Sequence, residues 1–167
     1  MRLFIAIRLT ENMKDALFRM QNTAMSLGMT GSFTPVRNMH ITLAFIGEFE
    51  RPDEIVRVMK SVPFEPFDIS LKGVGTFGSI LWGGADCPDS LFKYVKALRK
   101  KLDDRGIPYD IKPFNPHITV CRKFDGDRSQ LSLDEVSMTA DRVSLMVSEK
   151  VLGVMEYREI AKVTAFS

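Results

Sequence analysis

The chain has 167 residues, of which 45% are hydrophobic and 26% are charged. This composition is typical of a globular domain and excludes a disordered chain. Its formal net charge of +2 permits a phosphate-bearing partner, although strong nucleic-acid binders are usually more basic.

Strand and helix patterns alternate in the N-terminal half. Residues 3–9 form a short apolar run, which predicts a buried strand. Apolar residues then recur at helical spacing over residues 13–27, and Gly28 ends the run. A strand-like stretch covers residues 33–48, with Pro35 near its start. Pro52 opens a second helix.

The C-terminal half is richer in hairpins. Residues 67–77 and 80–85 predict two strands joined by a turn. Residues 90–105 predict the clearest helix, which Gly106 ends. Residues 117–122 predict a strand, and residues 142–166 predict a closing hairpin that turns near Leu152. This order indicates a mixed α/β fold of the α+β type rather than a regular parallel series.

Targeting and cysteine signals are weak. Cys87 and Cys121 have the spacing of neither a disulfide framework nor a zinc site, so we expect two reduced thiols. The apolar run after Met1 is too short for a signal sequence, and no stretch approaches the roughly 20 residues of a membrane span. We therefore expect one cytoplasmic domain over residues 1–167, with no membrane partner.

The two histidines of the chain lie in the same local sequence, His-Ile-Thr-apolar, at His40 and at His117. In a strand, residues two apart share a face, so each histidine lies beside a threonine, Thr42 or Thr119. One neutral imidazole can accept a proton while an imidazolium donates one. Threonine hydroxyls can donate hydrogen bonds to phosphate oxygens. The pair of motifs therefore indicates acid–base chemistry on a phosphate.

Other chemistries have less support. Two histidines lack the third protein ligand that zinc requires, and the glycine-rich stretch 73–78 lacks the lysine of a phosphate-binding loop. Arg122 could complete a phosphate site. Regular alternation from His117 places Arg122 on the opposite face, however, so this role requires a bulge or a strand end.

Residues 1–7, 36–47 and 115–122 resemble the two-histidine phosphoesterases. Within this superfamily the chain is most similar to the RNA 2′,3′-cyclic phosphodiesterases, also called 2′-5′ RNA ligases. The resemblance implies a bilobed α/β fold with mixed or antiparallel sheets around a central cleft and helices on the outside. It also implies hydrolysis of RNA 2′,3′-cyclic phosphate ends to 2′-phosphates, with 2′-5′ ligation as the reverse reaction.

The same resemblance assigns a role to each motif residue. His40 would protonate the leaving 3′ oxygen, and His117 would be the base that activates water. Thr42 and Thr119 would hold the phosphate. Arg122 occupies the position of the arginine that contacts the phosphate.

The resemblance also implies a set of partners. It implies an aromatic side chain that stacks on the terminal base, and Phe4 and Phe114 are the candidates. No cofactor and no metal are expected. The expected partner is an RNA with a cyclic phosphate end, for example a tRNA fragment, and the expected state is a monomer. Two alternatives stay open: a phosphoesterase of small cyclic nucleotides, and a non-catalytic RNA- or nucleotide-binding module.

Overall fold

The computed structural model describes residues 1–166, and within them the chain forms nine β-strands and three α-helices. The strands are β1 (Arg2–Arg8), β2 (Thr30–Phe33), β3 (His40–Glu48), β4 (Phe67–Phe77), β5 (Ile80–Asp86), β6 (His117–Asp125), β7 (Ser137–Ala140), β8 (Arg142–Val151) and β9 (Val154–Thr164). The helices are α1 (Glu11–Ser26), α2 (Pro52–Lys60) and α3 (Asp89–Asp104). None of these helices is long and apolar enough to cross a membrane.

The strands form two antiparallel sheets. The first sheet has the order β3-β1-β8-β9, and the second has the order β2-β6-β5-β4-β7. Each sheet holds one of the two strands that carry a histidine motif, and these strands, β3 and β6, contact each other. The two sheets therefore meet along the histidine-bearing strands. The predicted fold class, α+β with antiparallel sheets, is confirmed.

Local sequence explains the first elements. Every side chain from Leu3 to Ile7 is buried, as expected for a strand inside the first sheet. The Thr10 side chain caps α1 by accepting a hydrogen bond from the backbone N–H of Met13 at 3.5 Å. Just beyond the end of α1, Gly28 has a φ of +81°, a conformation that glycine adopts without steric cost.

The strand-like stretch expected over residues 33–48, with a break at Pro35, is divided in the structure into the end of one strand, a turn and a second strand. β2 ends at Phe33, a turn of 3-10 helix occupies Val36–Asn38, and β3 begins at His40. Pro35 precedes the turn and has no N–H to donate to a ladder, which interrupts the strand. The sequence also did not predict β7, because four residues carry too short a pattern.

The two long helices each pack on the sheet of the other half. α1 follows β1 of the first sheet but contacts β2 and β6 of the second. Leu17 of α1 lies so close to β5 that a Cβ on Gly83 would approach its Cδ2 within 2.7 Å, so glycine permits this packing. Conversely, α3 follows β5 of the second sheet but contacts β3 of the first. The two halves of the chain are therefore interlocked.

The repeated histidine motif has a structural counterpart. β1, α1 and β3 form a unit in which β3 pairs antiparallel with β1. β5, α3 and β6 form a second unit in which β6 pairs antiparallel with β5. Each motif therefore begins the last strand of a strand–helix–strand unit.

Candidate active site

His40 is the first residue of β3, and His117 is the first residue of β6. Both side chains are half-buried. Because β3 and β6 contact each other, the two motifs lie near each other where the two sheets meet. The positive charge that His117 can carry is close enough to His40 to lower its pKa. The structure thus brings the two histidines together across a separation of 77 residues in the sequence.

The threonines lie on the same faces as their histidines. Thr42 and Thr119 are half-buried between buried neighbours, as the alternation of a strand requires. The Thr42 hydroxyl Oγ1 is 2.9 Å from Nε2 of His40. Within each strand, the histidine and its threonine therefore share a face.

Two backbone carbonyls hold the histidine rings. Nδ1 of His40 lies 2.7 Å from the carbonyl oxygen of Asn38, and Nδ1 of His117 lies 2.7 Å from that of Asn115. A carbonyl only accepts, so each Nδ1 carries the proton and each Nε2 is available for proton exchange. Both copies of the motif thus extend to Asn-x-His-Ile-Thr. The shared asparagine is a further signal in the sequence, which the pattern His-Ile-Thr-apolar does not include.

A β-bulge places Arg122 beside the histidines. Leu81 of β5 pairs with Cys121 and Trp82 pairs with Thr119, so Val120 is an extra residue in β6. Val120 and Cys121 are buried in succession, which shifts the alternation by one residue. Arg122 is consequently exposed on the side of His117, and its charge also lowers the pKa of His40. The bulge that the sequence-based role of Arg122 requires is present.

β3 has a bulge at the equivalent position. Ile5 of β1 pairs with Ala44 and Ala6 pairs with Thr42, so Leu43 is the extra residue. The fifth residue after His40 is Phe45, whereas the fifth residue after His117 is Arg122. At this matched position the first sheet therefore presents an aromatic ring, and the second sheet presents a cation.

Desolvation is the main influence on the charge of His40. Burial lowers its pKa from the ordinary value of 6.5, and the hydrogen bond to Asn38 opposes this effect. The charges of His117 and Arg122 lower the pKa further. In the unliganded protein the neutral imidazole is favoured. An anion bound beside His40 would favour the imidazolium.

Aromatic rings surround both histidines. The Phe4 ring lies 4.8 Å from that of His40, and the Tyr157 ring packs edge-on against His40 at 5.3 Å. In the second sheet, Phe77 packs edge-on against His117 at 5.1 Å, with the Trp82 ring 6.3 Å from the same histidine. Phe77 is 41% exposed, so its ring remains accessible to a ligand.

The two stacking residues expected from the sequence occupy different surroundings. Phe4 lies beside His40, but only 3% of it is exposed, which leaves little of the ring free for a base. Phe114 packs against Phe92 of α3 with ring centroids 5.3 Å apart. The sequence did not predict that Phe77 and Trp82 pack against His117, because nothing in their local sequence distinguishes them from core residues.

No group of three histidine, cysteine, aspartate or glutamate side chains that could hold a metal ion occurs within the described range 1–166.

Comparison with protein families gives two matches to one family model, described as LigT-like phosphoesterase. The matches cover residues 7–85 and 83–155, so each contains one histidine motif. The first match contains α1 and β3, and the second contains α3 and β6.

Individual relatives are similar in sequence and in structure. An RNA 2′,3′-cyclic phosphodiesterase of Methanothermobacter thermautotrophicus is 30% identical over 89% of this chain and 90% of its own length. The enzyme of the same name from Geobacillus stearothermophilus is 32% identical over 74% of this chain, which matches 42% of that protein. The crystal structure of E. coli LigT complexed with 3′-AMP has a TM-score of 0.85 at 21% identity, covering 99% of this chain and 98% of that one.

Proposed function

The chain belongs to the LigT-like phosphoesterase family, and from this membership we propose that it hydrolyses RNA 2′,3′-cyclic phosphate ends to 2′-phosphomonoesters. The observation that carries the proposal is the arrangement of His40 and His117. Each has its Nδ1 held by a backbone carbonyl, which leaves Nε2 to exchange protons with a substrate. Two such imidazoles suit the transfer of one proton to a leaving oxygen and the removal of another from water.

In this mechanism His117 is the general base and His40 is the general acid. Nε2 of His117 takes a proton from a water molecule as the water oxygen bonds to phosphorus. The bond between phosphorus and the 3′ oxygen breaks, and the Nε2–H of His40 protonates that oxygen. The product carries a 3′-hydroxyl and a 2′-phosphate. Ligation would not reverse this hydrolysis: with a 5′-hydroxyl in place of water, the same proton transfers would open the cyclic phosphate to a 2′-5′ linkage and a free 3′-hydroxyl.

The remaining motif residues would stabilise the phosphate. The hydroxyls of Thr42 and Thr119 can donate to its non-bridging oxygens, on which charge accumulates in the transition state. The Arg122 guanidinium, which the bulge in β6 brings to the side of His117, can bind the same group through two parallel N–H donors. Thr42 would exchange its contact with His40 Nε2 for one with the substrate.

The lowered pKa of His40 fits the role of acid only when substrate is bound. Free of ligand, burial and the charges of His117 and Arg122 favour the neutral ring. A cyclic phosphodiester brings one negative charge next to the ring, which raises the pKa of His40. Binding of the substrate would therefore charge the general acid that the reaction needs.

Base recognition would involve aromatic rings near the histidines. Phe4 and Phe114 are the residues that the family resemblance suggested, but Phe77 combines contact with His117 and 41% exposure. Stacking on an aromatic ring tolerates any base, which suits an enzyme that acts on RNA ends of varied sequence. We therefore propose Phe77 as the principal stacking residue.

The test is incubation of a short RNA ending in a 2′,3′-cyclic phosphate with the protein in EDTA, followed by identification of the terminal phosphate. We expect a 2′-phosphate, and we expect His40→Ala and His117→Ala each to reduce the rate by about 10²–10⁴-fold. Arg122→Ala should also slow the reaction. Arg105→Ala, which removes the same charge from an exposed position at the end of α3, should not.

Three results would change the proposal. A 3′-phosphate product would reverse the assignment of the leaving oxygen. Turnover of 2′,3′-cyclic mononucleotides without turnover of the oligonucleotide would replace RNA by a small cyclic nucleotide. Binding of the RNA without turnover between pH 5 and pH 9 would contradict an enzymatic role.

A further inference from the structure

Gln21 is a buried polar residue on the apolar face of α1. It is 2% exposed and lies between the buried residues Met20 and Ala24. Burial of an amide is unfavourable unless the amide forms hydrogen bonds. The Nε2 of Gln21 donates to two backbone carbonyls, that of Thr34 at 2.8 Å and that of Val120 at 2.9 Å. Gln21 thus connects α1 to β6, which lies 99 residues further along the chain.

The carbonyl of Val120 belongs to the extra residue of the β6 bulge. It accepts a second hydrogen bond from the backbone N–H of Thr34 at 2.9 Å. A bulge residue is unpaired in the regular ladder, so its carbonyl needs donors from elsewhere. Gln21 and the residue after β2 supply them. The side-chain amide therefore stabilises the bulged conformation relative to a regular strand.

The bulge of β3 is held in the same way by the other long helix. Nη2 of Arg99 in α3 donates to the carbonyl of Leu43, the extra residue of β3, at 3.0 Å. Nη1 of Arg99 donates to the carbonyl of Lys112 at 2.6 Å. In both halves a helix side chain reaches the bulge carbonyl of the opposite motif strand. This recurrence with two different side chains indicates that pinning of the bulge is a property of the architecture.

We propose that Gln21 is a positioning residue that acts through Arg122. By holding the Val120 carbonyl, it keeps the bulge that turns the Arg122 guanidinium towards the phosphate instead of towards the core side of β6. This inference rests on the proposed function, because Arg122 is the proposed phosphate ligand. Gln21 itself is buried behind the strand and touches no substrate.

The test is a double-mutant cycle between Gln21 and Arg122. Gln21→Met has a similar length and no donor, so it removes both hydrogen bonds without creating a large cavity. We expect it to lower kcat/KM for the cyclic-phosphate RNA about tenfold or more, because displacement of a catalytic group by about 1 Å is costly. In the Arg122→Ala background the same substitution should cost less than about twofold, because residues in one network are not additive. Asn22→Met, exposed on the same helix, is the matched control and should leave kcat/KM unchanged.

An equal loss in both backgrounds would overturn the proposal, since a general structural defect does not depend on Arg122. An undiminished kcat/KM for Gln21→Met would overturn it as well. If Gln21→Met does not fold, the cycle is repeated with Gln21→Leu, which also lacks the donor. The same cycle measured with inorganic phosphate binding separates the two proposals. Phosphate binding that depends on both residues, in a chain that does not hydrolyse the RNA end, would overturn the proposed function alone. If the unsubstituted chain neither hydrolyses the RNA end nor binds phosphate, both proposals are overturned.

Discussion

Asn38 and Asn115 occupy the same motif position but differ in what their side chains do. Both supply a backbone carbonyl to the following histidine. The Asn38 side chain is buried, donates through Nδ2 to the Met155 carbonyl at 2.9 Å and accepts from the Tyr157 N–H at 3.4 Å. The Asn115 side chain is exposed, and it forms no such hydrogen bond within residues 1–166.

Asn38→Ala should therefore destabilise the protein much more than Asn115→Ala. Loss of the hydrogen bond from Asn38 Nδ2 leaves the Met155 carbonyl without its donor, which costs about 1–3 kcal/mol. The longer hydrogen bond from the Tyr157 N–H adds little. For a chain of this size a loss of about 2 kcal/mol lowers Tm by about 4–8 °C. Asn115→Ala should stay within about 0.5 kcal/mol.

Urea unfolding of the unsubstituted protein, Asn38→Ala and Asn115→Ala at pH 7.5 measures these differences in stability. Activity provides a second readout, because Asn38 also holds the segment that carries Tyr157 against His40. Asn38→Ala should therefore lower kcat as well as stability. Equal destabilisation by the two alanine substitutions would refute the reasoning, since the motif position would then matter and the buried hydrogen bonds would not.

Three further predictions concern the charge of His40 and the aromatic rings of the site. Arg122→Ala removes a positive charge that lowers the pKa of His40, so the His40 ring should titrate at a higher pH by NMR, and an unchanged titration would place Arg122 elsewhere. Because the folded pKa of His40 lies below its ordinary 6.5, the unfolded chain binds the proton more readily and stability should fall as the pH drops below about 6.5. His40→Asn should reduce this slope in urea unfolding between pH 5 and pH 7.5, and an identical slope would contradict the burial of the ring. Phe77→Ala should raise KM for the RNA about fivefold or more by loss of stacking. Phe92→Ala, which is equally exposed at 41%, should not, and equal effects would argue against a specific stacking role.

Much of the fold was predictable from local patterns. The buried strand β1, the helices α1 and α3 and the β8–β9 hairpin each carry a strong periodicity or a clear end signal within a few residues. The separate strand β2 was not predicted, because its four residues, Thr-Gly-Ser-Phe, carry no apolar alternation. The contact of β3 with β6 across two sheets has no local signal at all.

The sequence by itself determined the motif residues. Two copies of His-Ile-Thr-apolar specify two imidazoles and two hydroxyls on strand faces, since the two-residue period is a property of the backbone. This is enough to predict acid–base chemistry on a phosphate.

Tertiary structure decided the side on which Arg122 emerges and the aromatic rings around the two histidines. Most of these features depend on groups brought from distant parts of the chain. The bulge in β6 is held by Gln21 of α1, and the pKa of His40 is lowered by burial and by charges on β6. Hydrogen bonding and desolvation act between neighbours in space, so a pattern read along the chain does not contain them.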